Sequence, residues 1–295
     1  MGLEINANQS MTAIRSNFFS NPIQQNQNNY VKPVNFVQKP DSFNVNFDLS
    51  KYTSENAVVS MIKANPEVLK ILNEAKIPLK INMKTLDNLM DNHLQDTKKV
   101  TAGIVSNLPQ EFKPAIKFQS LQKAAALHDL GKCLIPESII NKPEKLTEEE
   151  FEKMQKHAIL SYEMLKTTDL DDDTLELIKN HHQNAQKTGY PKVEGSFVSD
   201  INLQILEAAD MYSALIEKRP YKPEMTKNQA LSIIHQDMKA GKIHPYVFKA
   251  LVDFANQQEA KNLVSVEAQV VPKVPTQINS QGQVVDLQPV NRLSA

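Results

Sequence analysis

The sequence predicts an all-α fold, with one helical domain of about seven to nine helices over residues 53–259. An Asn/Gln-rich segment, 1–52, is expected to be mostly disordered, and 260–295 to be a flexible tail. Three observations lead there. Apolar residues recur at spacings of three and four through the middle of the chain, residues with helix-starting chemistry stand ahead of those runs, and the period is missing at both ends.

The first fifty residues hold 15 Asn or Gln and only three Lys or Arg, too little apolar surface to offset the entropy of ordering the backbone. Val34, Phe36, Phe43, Val45 and Phe47 alternate loosely with polar residues, leaving open either a short docking strand or an extended tail. Further on, Ala57, Val58, Met61 and Ile62 repeat at helical spacing, as do Leu86, Leu89, Met90 and Leu94. Pro66 fits a first helical turn. Thr147 with Glu150 reads as a capping box. Asp171, Asp172 and Asp173 place carboxylates at a helix N-terminus, where the macrodipole favours them. A helix is expected over about 200–218, and two more after Thr226 and Pro245. Beyond about residue 258 the period fades, and the stretch from Val266 to Val271 reads as a strand or a flexible segment.

Composition narrows the class of function. Hydrophobic residues make up 41% and charged residues 23%, the balance of a soluble globular protein. A formal net charge of −1 argues against broad electrostatic binding to nucleic acid polymers or an anionic membrane. The lone Cys133 rules out an internal disulfide framework and fits a reducing cytosol. No apolar run nears the roughly 20 residues a bilayer crossing needs, and the N-terminus lacks the pattern of a signal peptide. A cytoplasmic protein is expected.

Histidine points to the chemistry. Of seven, five lie in helical or helix-end stretches beside acidic residues or one another. His128 and Asp129 close the apolar run 121–127 and can approach one centre from neighbouring directions. A carboxylate has two oxygens and can bridge two cations, whereas an imidazole binds one. Taken singly, His128 also reads as a helix-end residue with a local hydrogen bond, and His157 as a satisfied surface histidine. His93 follows Met90, Leu89 and Leu86 at helical spacing and reads as inward-facing on the same helix. His181 and His182 are two consecutive imidazoles that are awkward to bury without a ligand or acceptor, the other reading being an exposed helix end. Asp210 sits in so apolar a stretch that burying it is costly unless it is paired or holds a metal. Imidazole and carboxylate donors without thiolate suit Fe, Mn, Zn or Ni. Lys132, one turn after His128, can neutralise phosphate charge or be a plain surface lysine.

The ordered set His93, His128, Asp129, His157, His181, His182 and Asp210 resembles the HD superfamily of metal-dependent phosphohydrolases, and within it the HD-GYP branch, whose known members hydrolyse cyclic di-GMP. Supporting stretches are Asn92 to Thr97, Ala124 to Lys132, Ile135-Pro136, Lys142 to Thr147, Gly189-Tyr190-Pro191, Arg219 to Lys222 and Gly241 to Pro245. The resemblance covers about residues 81–255 and implies a single HD-type helical domain with two divalent transition metals. It implies that Asp129 bridges them, with His93, His128 and Asp210 leaning to one and His157, His181 and His182 to the other. It further implies that Tyr190 borders a guanine and that Arg219 and Lys222 pair with phosphates or a base edge. Asp129 and Lys132 would then be the catalytic side chains.

Three departures from the pattern bear on substrate. Leu89 stands where the family often has the Glu of a third metal, so two metals are expected. Gln183, Ala185, Gln186 and Lys187 replace the usual residues after the double histidine, and Ser213 replaces a common Asp. The expected function is hydrolysis of a cyclic dinucleotide, cyclic di-GMP, by a di-metal-activated hydroxide. The alternatives are an HD phosphohydrolase of another nucleotide, or a weakly catalytic nucleotide-binding signalling protein.

Overall fold

The computed structural model describes residues 47–193, 195–217 and 224–270, with two short strands beyond. Residues 1–46, with the docking strand weighed for Val34 to Val45, lie outside the described residues, as do Arg219 and Lys222.

In chain order the helices are α1 (Ser50–Thr53), α2 (Glu55–Ala64), α3 (Pro66–Glu74), α4 (Met83–Asp91), α5 (His93–Asn107) and α6 (Phe118–Leu127). They continue with α7 (Glu137–Ile140), α8 (Glu148–Leu165), α9 (Asp172–Asn180), α10 (Ile201–Ile216), α11 (Lys227–Lys239) and α12 (Pro245–Val270). Tight 3-10 turns occupy Gln110–Ala115 and Leu130–Leu134. Beyond α12, β1 (Thr276–Ile278) and β2 (Val284–Asp286) pair antiparallel, Thr276 opposite Asp286. The fold is therefore all-α apart from this small ladder. The helix total exceeds nine because α1 and α7 are single turns and because one expected run is broken between α4 and α5.

Local chemistry accounts for the helix starts. The Thr147 hydroxyl accepts from the Glu150 amide, and the Glu150 carboxylate accepts from the Thr147 amide. Asp171 accepts from the Thr174 amide at 2.8 Å to open α9, Asp200 caps α10, and Thr226 with Gln229 forms a second capping box on α11. Pro66 occupies the first turn of α3, behind an Asn65 cap. Two expectations change. Helix α12 runs on through Val270, taking in the stretch that also read as a strand. Adding a residue to a formed helix costs little, and no Pro or Gly interrupts the sequence between Tyr246 and Val270. The run that was expected to carry Leu86 and His93 together breaks at Asn92, whose backbone leaves the helical region and whose side-chain amide donates to the Asn88 carbonyl.

Helix α10 forms the centre of the bundle. Leu203, Ile205, Leu206, Ala208, Ala209 and Tyr212 are all buried, so the helix is apolar nearly all round and lies against α5, α6, α11 and α12. Helix α8 packs against α9, α3 and the Leu130–Leu134 turn, with Leu160, Met164 and Leu165 fully enclosed. Leu130, Ile139 and Leu175 are buried in the core, and Ile140 and Leu146 pack half-buried against it. No helix among the described residues is long and apolar enough to cross a membrane.

Candidate metal centre

Five of the seven histidines meet where α5, α6, α8, α9 and α10 converge. His93 is the first residue of α5, His128 the C-cap of α6, His157 lies within α8, His181 is the C-cap of α9 and Asp210 lies on α10. Asp129 begins the tight turn after α6. His93, His128, Asp129, His157, His181 and Asp210 are buried, and His182 is partly open. His235 stacks on Phe248 and His244 on Tyr246, in keeping with their absence from the candidate set.

Asp129 stands at the middle. Its Oδ2 is 3.6 Å from the Nε2 of both His93 and His128, and its Oδ1 is 3.3 Å from His157 Nε2 and 3.8 Å from His181 Nε2. Asp210 Oδ1 reaches His93 Nε2 at 2.9 Å and His128 Nε2 at 3.6 Å. Donor atoms fall into three overlapping sets, each within 4.8 Å: Asp129 with His157, His181 and His182; His93 with His128 and Asp129; and His128 with His181 and Asp210. Such clusters could hold divalent metal ions. Every candidate ligand among the described residues is brought to the site, and Leu89 offers no ligand.

Three imidazoles are fixed by a backbone contact. The Nδ1 of His128, His157 and His181 lies 3.2, 2.7 and 2.7 Å from the carbonyl three residues earlier, so that nitrogen carries the hydrogen and donates. Nε2 is left with its lone pair inward. The Nε2 atoms of His157 and His181 then face each other at 3.2 Å, and His182 Nε2 stands 3.2 Å from that of His157. Converging lone pairs repel unless a cation lies between them. His128 Nε2 and Asp129 Oδ1 are also buried without hydrogen-bond partners, as ligand atoms would be. On both counts the donor set fits metal ions.

Electrostatics agree for His157, His181 and His182, whereas at His128 burial is outweighed by Asp129 and Asp210, which push it up. Burial, aided by neighbouring imidazoles, pushes His181 well below the usual histidine range. Burial likewise takes His157 down to about 3 and His182 down to about 4, against the pull of the aspartates, so both rings are neutral donors. Burial alone would lift Asp129, but Lys132 and then His128 hold it well below the usual carboxylate range. Asp210 is likewise kept ionised against burial by His128 and His93. Lys132 Nζ lies 2.5 Å from Asp129 Oδ2 and is only slightly exposed.

Two glycines permit the assembly. A Cβ on Gly131 would meet the His157 carbonyl oxygen at 2.3 Å, and the Gly131 amide donates to the buried Ser161 hydroxyl at 2.7 Å. This close approach places the turn bearing Asp129 against α8. A Cβ on Gly189 would lie 1.9 Å from the His182 carbonyl, which also accepts from the Tyr190 amide. Tyr190 consequently lies tilted on His182, with ring centroids 4.5 Å apart. Gln183, fully buried, ties the loop together: its oxygen accepts from the Asn184 and Gly189 amides and its NH2 donates to the Pro191 carbonyl at 2.7 Å. Sequence reasoning missed the roles of Gln183 and Ser161 and the placement of Glu217, whose carboxylate lies 3.8 Å from His93 Nδ1. No motif spacing marks them, because each acts on a residue remote in sequence or on backbone.

A bundle of this kind with a nested His/Asp centre defines a class, and comparison with known proteins agrees. The chain belongs to the HD domain family, whose family model matches residues 80–247. It is 30% identical over 164 residues to a 3'3'-cGAMP-specific phosphodiesterase 1 of Vibrio cholerae, covering 55% of this chain and 38% of that protein. It is 38% identical over 118 residues to the cyclic di-GMP phosphodiesterase PdeB of Borreliella burgdorferi, covering 40% of this chain and 31% of that one. The chain thus spans well under half the length of these relatives. Among solved structures, Bd1817, an HDG"Y"P protein from Bdellovibrio bacteriovorus, overlaps with a TM-score of 0.46 at 17% identity, over 70% of this chain and 67% of that one.

Proposed function

We propose that the chain is a two-metal phosphodiesterase of the HD-GYP kind that hydrolyses a cyclic dinucleotide, cyclic di-GMP first among them. One observation carries the reading: the two oxygens of Asp129 face two different pairs of imidazoles. His93, His128 and Asp210 would hold one divalent ion, His157, His181 and His182 the other, and Asp129 would be shared. His181 is near both sides, since its donor atom also groups with those of His128 and Asp210. Two such ions, drawn from Fe, Mn, Zn or Ni, supply Lewis acidity at a phosphodiester and activate water near neutral pH.

The chain's own groups do the rest. The buried imidazoles exclude bulk water from the centre and hold its geometry. Lys132 supplies a positive charge beside Asp129 for a phosphoryl oxygen or leaving group. Tyr190, on the partly open side with His182, offers a ring to a base. Arg219 and Lys222 keep their assignment as phosphate or base partners from sequence resemblance alone. The relatives' names support the substrate class, which in turn supports a cytoplasmic signalling role.

The test is product analysis by chromatography after incubation of the protein with cyclic di-GMP and Mn(II) or Fe(II). Linear dinucleotide or mononucleotide product is expected. Absence of product with intact cyclic di-GMP binding would point instead to a weakly catalytic binder, and turnover of a mononucleotide alone to another HD phosphohydrolase.

A further inference from the structure

His93 is held differently from the other imidazoles. His128, His157 and His181 each donate from Nδ1 to the carbonyl three residues back. His93 opens α5 directly after the break at Asn92, so no earlier turn of its own helix presents a carbonyl to it. Its Nε2 faces Asp210, while its Nδ1 is buried without a hydrogen-bond partner. Facing that Nδ1 at 3.8 Å is Glu217 Oε2. Glu217 caps the C-terminus of α10, and its amide donates to the Ser213 carbonyl, so the helical turn is kept. Asp210, Ser213 and Glu217 therefore follow at i, i+3 and i+7 along one stripe, the stripe that meets His93.

We infer that Glu217 is the carboxylate that orients His93, its Oε2 closing from 3.8 Å to accept Nδ1–H when the site is loaded and leaving Nε2 for the ion on that side. The inference rests on the two-metal reading above. A ligating imidazole almost always gives its second N–H to a carboxylate, carbonyl or water, which fixes its tautomer and raises its basicity. Glu217 acts through His93 and is a positioning residue. Ser213 is buried with its hydroxyl unpaired, one turn earlier on the same stripe, where a shorter carboxylate can reach the same ring.

The experiment compares the full chain with Glu217→Ala, Glu217→Gln and Ser213→Asp/Glu217→Ala, each loaded with Mn(II) and challenged with a graded chelator. Bound metal is counted by mass spectrometry, and the Nδ1–H of His93 is followed by 15N NMR in Zn(II)-loaded protein. Glu217→Ala is expected to weaken one of the two ions about 10–100-fold and to lose the protected Nδ1–H signal. Glu217→Gln, which keeps an acceptor oxygen, should fall between, and Ser213→Asp should restore part of the loss. Wild-type affinity for both ions in Glu217→Ala overturns the assignment. So does equal weakening of both ions together with a lowered melting point of the metal-free protein, which marks a structural role. A wild-type chain that holds no ion overturns the two-metal reading itself, and this inference with it, before any variant is compared.

Discussion

His157 Nε2 stands 3.3 Å from Asp129 Oδ1, although 28 positions separate the two residues and they belong to different elements. Asp129 is the only carboxylate whose two oxygens touch both imidazole pairs, among the described residues. On the two-metal reading, Asp129→Ala is therefore expected to lose one or both ions and to fall below about a tenth of wild-type turnover, since a lost metal clamp removes most of the rate acceleration. Metal content and cyclic di-GMP hydrolysis measured on the same preparation check this; a variant with two ions and near-normal turnover contradicts it.

Gly131 has no room for a side chain, because a methyl would press on the His157 carbonyl and the Ser161 amide. Gly131→Ala should cost roughly 1–3 kcal/mol of stability, the usual range for overpacking, by pushing the Asp129 turn off α8. Urea unfolding of the metal-free protein measures the cost, and metal titration should show weaker loading as well. Unchanged unfolding and loading would mean that the turn moves freely.

Gln183 is one of the residues that depart from the resemblance, and its NH2 donates to the Pro191 carbonyl at 2.7 Å. A carboxylate there would face that carbonyl with no hydrogen to give. On the proposed activity, Gln183→Glu should loosen the loop carrying Tyr190, raising KM for cyclic di-GMP about tenfold while kcat falls less, because the candidate metal ligands are untouched. Steady-state kinetics separate the two parameters. A loss confined to kcat would assign Gln183 to the metal centre instead.

Glu207 is buried on α10, and burial, reinforced by nearby Asp237 and opposed by Lys242, pushes its carboxyl up to about 8. Between its ordinary value and about 8, the folded chain holds a proton that the unfolded chain has released. Stability from this group is thus fully present at acid pH and is lost as pH rises toward and through 8. The effect is on the order of a few kcal/mol at most. Denaturant midpoints of wild type and Glu207→Gln, followed from pH 5 to 8.5, should diverge, with the Gln variant flatter. Parallel profiles would show that Glu207 is ionised throughout.

Much of the fold was legible because its determinants are local. Thr147 and Glu150, Asp171, Asp200 and Thr226 cap helices through side chains within three residues of the amides they satisfy, so a linear reading finds them. The break at Asn92 was not legible, since apolar spacing from Leu86 to Leu94 is the same for a continuous helix and for two helices meeting at an angle. Residues of the centre were found by type, order and spacing: histidines beside acids, and an aspartate too costly to bury alone.

By itself, then, the amino-acid sequence determined that the protein is helical, where several of its helices start and which seven side chains are candidates to hold ions. Only the tertiary structure decided which oxygen of Asp129 faces which imidazole, that three Nδ1 atoms are spent on backbone carbonyls, and that Glu217 faces His93. The reason is physical. Caps and periodicity act over a few residues of one helix, whereas the direction of a donor atom depends on how five helices pack, and on the missing side chains of Gly131 and Gly189 that let backbone approach backbone.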